Sequence, residues 1–330
     1  DTNLIMNYIK MSPLTGMVGY GGGSSGLNMH AAGLKALYIG DRAFFGGGDS
    51  YDEIDYWDIS TTGNASDFGD IHPSEPWRKS EASSNITKAV IFGGDGSSGF
   101  HPQENIYHRV IGTLGNASDT GRNATRARNE HVNGSDGTRA IFCGHSNGSN
   151  ADEIDKFNFA NNANAGDFGD LIHRADGMGC CVSATSRMVI GAGRRWDGGE
   201  YIQEDLEYIT IANGSGNGTD FGDLNWRSFG AQAASNATRG VWWSANDHNG
   251  NGIEVIDYIE IDTTGDATDF GDATLGLNAG MCCMANATRV CVAGGNGNQI
   301  HYITIDSPGN STDFGDLTNS RGYACGTSGE

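Results

Sequence analysis

The tetrapeptide Asp-Phe-Gly-Asp occurs five times in this chain, at Asp67–Asp70, Asp167–Asp170, Asp220–Asp223, Asp269–Asp272 and Asp313–Asp316. A degenerate copy, Asp119-Thr120-Gly121-Arg122, fills the one long gap, and successive first aspartates then lie 52, 48, 53, 49 and 44 residues apart. A grid of that regularity implies one supersecondary unit used repeatedly, each copy burying its apolar face against the next. It also sets how every other residue is judged. A side chain recurring once per unit serves the scaffold, and chemistry particular to this protein has to lie where the repeat is broken.

Each unit has four parts in fixed order. A Tyr-bearing alternating stretch comes first, as in Tyr56-Trp57-Asp58-Ile59, Tyr208-Ile209-Thr210-Ile211, Tyr258-Ile259-Glu260-Ile261 and Tyr302-Ile303-Thr304-Ile305, with weaker versions at Tyr8, Tyr107 and Phe157. Alternation of β-branched and aromatic residues reads as a strand with two unlike faces. A turn such as Thr61-Thr62-Gly63-Asn64 leads into Asp-Phe-Gly-Asp, and a small-residue stretch such as Ala231–Ser235 follows. The unit closes with a basic residue, an apolar run and glycines, as in Lys88-Ala89-Val90-Ile91-Phe92-Gly93-Gly94. Four short strands per fifty residues, separated by Gly- and Asn-rich turns, fit one antiparallel blade of a β-propeller. A linear solenoid is the competing arrangement. The expected fold is therefore all-β, a single propeller domain over residues 1–330 with units beginning near residues 8, 56, 107, 157, 208, 258 and 302.

These residues resemble two known groups. Phe92-Gly93-Gly94 followed by Tyr107, and Val292–Gly295 followed by Tyr302, are similar to kelch-type blades, with Phe68, Phe168, Phe221, Phe270 and Phe314 in place of the usual tryptophan. The wording of the repeat also resembles the T-G-N-A-T-D-F-G-D-L repeats of tail-fibre and virion proteins in tailed phages, especially cyanophages. That likeness covers nearly the whole chain. It implies a structural or adhesive role in a virion or outside a cell, although propellers host many unrelated functions.

Seven Tyr-type strands predict seven four-stranded blades. Only six Gly-Gly strands are clear, following Arg42, Lys88, Arg139, Arg187, Arg239 and Arg289, so six blades is the alternative. The ring is expected to close with a composite blade from both ends of the sequence, one strand short. Met17–Gly23, a neighbouring chain or further sequence are candidates to complete it, with residues 1–10 expected to pair within the propeller. An open edge of this kind invites pairing with another strand.

The formal charge of −21 argues against nucleic-acid partners, and no apolar run is long enough to span a membrane. Seven cysteines lack zinc-type spacing and sit among small apolar residues, which predicts buried free thiols; Cys180-Cys181 and Cys282-Cys283 read as one repeat position. Eleven Asn-x-Ser/Thr triplets begin at Asn64, Asn85, Asn116, Asn123, Asn133, Asn147, Asn213, Asn217, Asn236, Asn286 and Asn310. They are N-glycosylation candidates only in a chain that passes through a eukaryotic secretory route. Duplication of an Asn-rich turn accounts for much of their number.

No catalytic, cofactor or metal motif is evident, and Asp247-His248-Asn249-Gly250-Asn251-Gly252 departs from calcium-loop spacing. Arg42, Lys88, Arg139, Arg187, Arg239 and Arg289 are expected to pair with Asp-Phe-Gly-Asp carboxylates of their own or the adjoining blade, with the lining of an anion-binding channel as the alternative. Trp77 and Trp196, in loops that break the pattern, are the candidate glycan contacts. The reading is a non-enzymatic platform whose partners are proteins, like protomers or surface glycans. A secreted, N-glycosylated propeller that polymerises through its incomplete blade is one alternative, and a propeller hydrolase or lyase the other.

Overall fold

The computed structural model describes residues 41–329 apart from segments 49–50, 73–76, 86, 96–101, 146–150, 161–162, 183–185, 196–200, 248, 275–279 and 296, together with 19–20, 29–31 and 34–36. Six four-stranded antiparallel units account for nearly all of it. Blade 1 comprises Cys325–Gly329, Arg42–Gly46, Glu53–Asp58 and Ser66–Asp70. Blade 2 comprises Glu81–Ser84, Lys88–Phe92, Gln103–Val110 and Ser118–Arg128. Blade 3 is Val132–Ser135, Arg139–Cys143, Glu153–Asn158 and Gly166–Asp170. Blade 4 is Gly179–Val182, Arg187–Gly191, Asp205–Thr210 and Thr219–Asp223. Blade 5 is Gln232–Asn236, Arg239–Trp243, Val255–Glu260 and Thr268–Asp272. Blade 6 is Met281–Ala285, Arg289–Gly294, Gly297–Thr304 and Thr312–Arg321. The only helical turn among the described residues is Ile211–Asn213. Six is the lower of the two counts the sequence left open, and the Tyr8 stretch that supplied the seventh lies outside the described residues.

Blade 1 is the composite expected from both ends of the sequence, but it lacks nothing. Residues 325–329 are its small-residue first strand, and the Gly-Gly strand that must follow is Arg42–Gly46, paired from Cys325↔Gly46 to Gly329↔Arg42. The expectation of a missing strand came from counting the Tyr8 stretch into this blade. Gly19–Tyr20 pairs instead with Ser235–Asn236 of blade 5. Residues 1–10 lie outside the described residues.

The first strands of neighbouring blades lie against one another round the axis. All six are fully buried, which explains their small side chains. Polar groups there find partners on the adjacent strand. Ser84 Oγ donates to Ser328 O at 2.6 Å, Ser328 Oγ to Ala285 O at 2.7 Å, and Cys180 Sγ to Asn133 O at 2.8 Å. Six apolar clusters follow, each drawn from two adjacent blades. One of them joins Ala43, Phe45 and Trp57 of blade 1 to Cys282, Met284 and Ala293 of blade 6, so the ring is closed by a core as well as by a strand.

The outer rim shows what Asp-Phe-Gly-Asp is for. Phe68, Phe168, Phe221 and Phe270 are 2% exposed and Phe314 3%. The residue after it has to be glycine, because a Cβ on Gly169 would stand 2.3 Å from Gly216 O in the next blade. The turn of that next blade runs alongside: Gly115 and Ala117 N–H donate to Phe68 and Asp70 O at 2.7 Å each. The second aspartate then donates its own N–H to an Asn or Asp side chain. These bonds run Asp70 to Asn116, Asp170 to Asn217, Asp223 to Asp266, Asp272 to Asn310 and Asp316 to Asn64, at 3.0–3.2 Å. In blade 2, Asn123 N–H takes this place and donates to Asn164 at 3.3 Å.

The basic residues of the second strands also bridge blades, by a route other than the expected one. Arg42, Arg139, Arg187, Arg239 and Arg289 donate to the carbonyls of Ile111, Ile211, Ile261, Ile305 and Ile59 in the following blade, at 3.2–3.5 Å, rather than to Asp-Phe-Gly-Asp carboxylates. Four of them lie over a tyrosine of their own blade, 4.3–5.0 Å from Tyr56, Tyr208, Tyr258 or Tyr302. Because each Phe fills an inter-blade core, Phe221→Ala should destabilise the fold by about 3–5 kcal/mol in denaturant unfolding. An unchanged midpoint would place the ring outside the core.

Candidate functional site

The axial channel is the usual place to look for chemistry in a propeller, and here its mouth is filled. Lys79, Glu130, Gly177, Gly230, Gly280 and Tyr323 occupy equivalent positions just before the first strands, and all have positive φ, from 51° to 95°. Their backbones pass hydrogen bonds round the opening: Glu130 N–H to Lys79 O, Gly177 to Glu130, Gly230 to Gly177, Tyr323 to Gly280 and Lys79 to Tyr323, at 2.7–3.3 Å. Lys79 pairs with Glu130, and Arg194 bonds Asp176 at 2.9 Å while lying 4.8 Å over Phe229. The space left is about 50 Å³, enough for a water or two. His131 lines it with both ring nitrogens unpaired, and burial, with Arg128 adding to it, holds its pKa well down. Among the described residues no three His, Cys, Asp or Glu side chains are grouped to hold a metal ion.

A second set of six positions clasps each blade to the segment following Asp-Phe-Gly-Asp in the blade before it. Its members differ chemically: Asp55, Tyr107, Asp155, Glu207, Asp257 and His301. Asp55 accepts from Thr318 N–H and Oγ1 at 2.9 and 2.7 Å, and Asp257 from Asn225 N–H and Nδ2 at 3.0 and 2.7 Å. Asp155 takes Thr125 and buried Arg128, the latter at 2.8 Å. Glu207 accepts from Ile172 N–H at 2.8 Å, and burial pushes its carboxyl up to about 7.

Blade 4 carries a large open groove with aromatic walls, about 980 Å³. Its fourth strand ends at Asp223. Leu224 is buried, Asn225 makes the clasp to Asp257, and Trp226 is then turned outward, 55% exposed. Opposite stands Tyr201, 43% exposed, on the small sheet of Ala175–Asp176, Arg194–Arg195 and Tyr201–Ile202. The polar walls are pre-set. Glu204 holds Arg227 Nε and Nη2 at 2.5 and 3.0 Å. Asp247 accepts from the N–H groups of Asn249 and Asn251 at 2.8 Å each and from Asn251 Nδ2 at 3.0 Å, bonds that hold its pKa down to about 2. Burial, then the carboxylates of Asp205, Asp266 and Glu204, raise that of Asp223. Such a site can stack a flat C–H face and accept hydrogen bonds from hydroxyls.

Trp77 offers no such face. It is 5% exposed and packs edge-on to Tyr107 at a centroid distance of 4.5 Å. Trp196 lies outside the described residues. Trp226 and Tyr201 were missed because neither belongs to a motif. Aligning the residues after each Asp-Phe-Gly-Asp sets Trp226 against Pro73, His173, Leu275 and Asn319, and that contrast was available.

The Asn-x-Ser/Thr triplets fall into structural classes. Asn64, Asn116, Asn217 and Asn310 are the side-chain acceptors of the rim, while Asn123 sits in the rim contact of blade 2. Asn85, Asn236 and Asn286 close the turn between first and second strands, accepting from the N–H groups two and three residues on. Asp136 does the same work in blade 3 without forming a triplet, so the turn itself is what recurs. Asn236 and Asn286 donate their amides to Asp306 and Asp41 at 3.1 and 2.7 Å, and Asn133 is wholly buried. A glycan on any of these three is incompatible with the fold. Asn213 is exposed, and Asn147 lies outside the described residues.

No protein-family model matches this chain, and no curated protein matches it. No helix among the described residues is long and apolar enough to cross a membrane.

All seven cysteines are buried and free. The two pairs are offset by one residue, since Val182↔Met188 corresponds to Ala285↔Val290 and sets Cys180 level with Cys283. The turn after Val182 has one residue more. Burial pushes Cys291 and Cys325 up to about 12. A thiol reagent should therefore leave the native protein unlabelled and add seven tags in denaturant; rapid native labelling would contradict this packing. Glu207 gives a pH test. Its folded pKa of about 7 exceeds the ordinary 4.5, so its stabilisation is complete below 4.5 and is lost as pH rises through 7. Glu207→Gln stays neutral throughout, and its melting temperature relative to the natural protein should climb between about pH 5 and about pH 8. A difference independent of pH would show an ordinary, unshifted acid.

Proposed function

We propose that this protein is a non-enzymatic structural and adhesion component, in a virion or outside a cell, that presents a rigid propeller to surface glycans and to protein partners. The single observation carrying this reading is the exposed Trp226 face in a groove whose polar walls are held by their own hydrogen bonds. Three of those walls are carboxylates, Glu204, Asp223 and Asp247, and the arginine beside them, Arg227, is already engaged by Glu204. A neutral pyranose suits this arrangement: its C–H face stacks on the indole and its hydroxyls donate to the acids. Rigidity supports the same use, since a preformed site loses little freedom on binding.

The hydrolase or lyase alternative requires acids, histidines or a metal converging in the channel, where the described mouth leaves about 50 Å³. The filament alternative drew on a closure blade lacking a strand, and blade 1 has four. Screening against arrayed neutral glycans, followed by calorimetric titration of the best, tests the proposal. Trp226→Ala should weaken binding about tenfold or more, roughly 1.4 kcal/mol, with the melting temperature unchanged. Equal affinity in the variant, or no glycan bound below millimolar concentration, would sink it.

A further inference from the structure

Blade 2 is where the repeat breaks down most completely, and the departures fall in one place. In four other blades an arginine of the second strand lies over a tyrosine of the third, and that tyrosine meets the phenylalanine of Asp-Phe-Gly-Asp edge-on at 5.7–6.3 Å. Blade 2 has changed all three members. Lys88 stands for the arginine, and His108 for the tyrosine, since Val90↔His108 matches Phe44↔Tyr56. Two residues, Thr120 and Gly121, replace the phenylalanine: Asp119 pairs with Tyr107 and Arg122 with Ile106, as Asp67 pairs with Asp55 and Gly69 with Ile54. Arg122 thus occupies the position that is glycine elsewhere.

The missing phenyl ring leaves a pocket of about 260 Å³ between blades 2 and 3, floored by Phe157 and walled by Lys88, His108, Thr120 and Arg122. Lys88 bonds through its backbone, its N–H donating to Asn85 at 2.8 Å, but among the described residues its ammonium makes neither a hydrogen bond nor an ion pair, although its counterparts all reach a carbonyl of the next blade. The one acid in the wall, Asp119, already accepts from Gly121 N–H at 2.8 Å. Two fixed cations against one carboxylate make this a positive spot on a chain of formal charge −21. A carboxylate-lined, neutral-sugar groove has the opposite character, so the two sites do not depend on each other.

We propose that the pocket between blades 2 and 3 is an oxyanion-binding site, taking a phosphate, sulfate or carboxylate group between the Lys88 ammonium and the Arg122 guanidinium, with a ring N–H of His108 as a further donor. Arg122 supplies paired donors and Lys88 a point charge, while the Thr120 hydroxyl, which donates to Ile106 O at 2.7 Å, shapes the wall without reaching the anion. Burial, then the charges of Lys88 and Arg109, hold His108 below its ordinary 6.5, with Asp119 opposing. A bound anion would add a negative charge beside the ring and raise that value.

Titration with inorganic phosphate, sulfate and acetate at constant ionic strength, followed by the imidazole proton resonances of His108, tests this on the whole chain. Saturable binding with Kd of about 1 mM or tighter, with the His108 midpoint moving upward, is expected for at least one anion. Preference for the tetrahedral anions assigns a phosphoryl or sulfuryl group, and preference for acetate a carboxylate. Lys88→Met and Arg122→Gln should each weaken binding about tenfold. Replacing Thr120-Gly121-Arg122 by Phe-Gly, which restores the Asp-Phe-Gly of the repeat, should abolish binding while leaving the fold intact. No saturable response to any of the three anions, or undiminished affinity in both point variants, would overturn the proposal.

Discussion

Everything in this ring depends on one contact between blades: the turn of each unit laid along the Asp-Phe-Gly-Asp strand of the unit before it. The tetrapeptide is a docking edge with each residue accounted for. Its first aspartate steadies the bend, as Asp67 does by accepting from Gly69 N–H at 3.0 Å. The phenylalanine enters the core between blades, the glycine lets the next backbone approach, and the last residue exchanges hydrogen bonds with that backbone and its Asn side chain. An outer strand would otherwise show a bare edge to solvent, where pairing with foreign strands begins. Here each edge is partly occupied by the neighbour, and the pattern runs from blade 6 back to blade 1 through Gly63, Asn64 and Ala65.

Much of this was legible in the sequence because it recurs. The all-β class, the propeller, the composite blade and the burial of Phe68 and its equivalents all follow from the grid of motifs. The arginine partners were not legible. Arg42 and its equivalents reach backbone carbonyls of the next blade, and a carbonyl leaves no trace in residue identity. The clasp positions were hidden for another reason. Asp55, Tyr107, Asp155, Glu207, Asp257 and His301 solve one geometric problem with different chemistry, so no repeated letter marks them. Trp226 was missed as a singular residue beside a motif, whereas Trp77 drew notice for its size and is core.

The Asn-rich turns carry a related lesson about composition. An abundance of Asn-x-Thr looks like a modification signal, yet at Asn236 and Asn286 both ends of the amide are committed to the fold. The threonine is equally structural, with its N–H, like its hydroxyl, turned back to the asparagine oxygen. Asx turns and acceptor triplets use the same residue types, and burial of the amide nitrogen separates them.

Blade 1 sets a timetable for folding. Its second, third and fourth strands are made early, but the innermost one, Cys325–Gly329, is synthesised after every other strand of the ring. Until then Arg42–Gly46 has an exposed inner edge, and the cores on both sides of blade 1 are unfinished. The other five blades can form from local hairpins, whereas this pairing joins segments separated by almost the entire described chain and bears the largest loop-closure entropy. The circle therefore has a last step, and the chain remains most vulnerable to pairing with copies of itself until that step is taken.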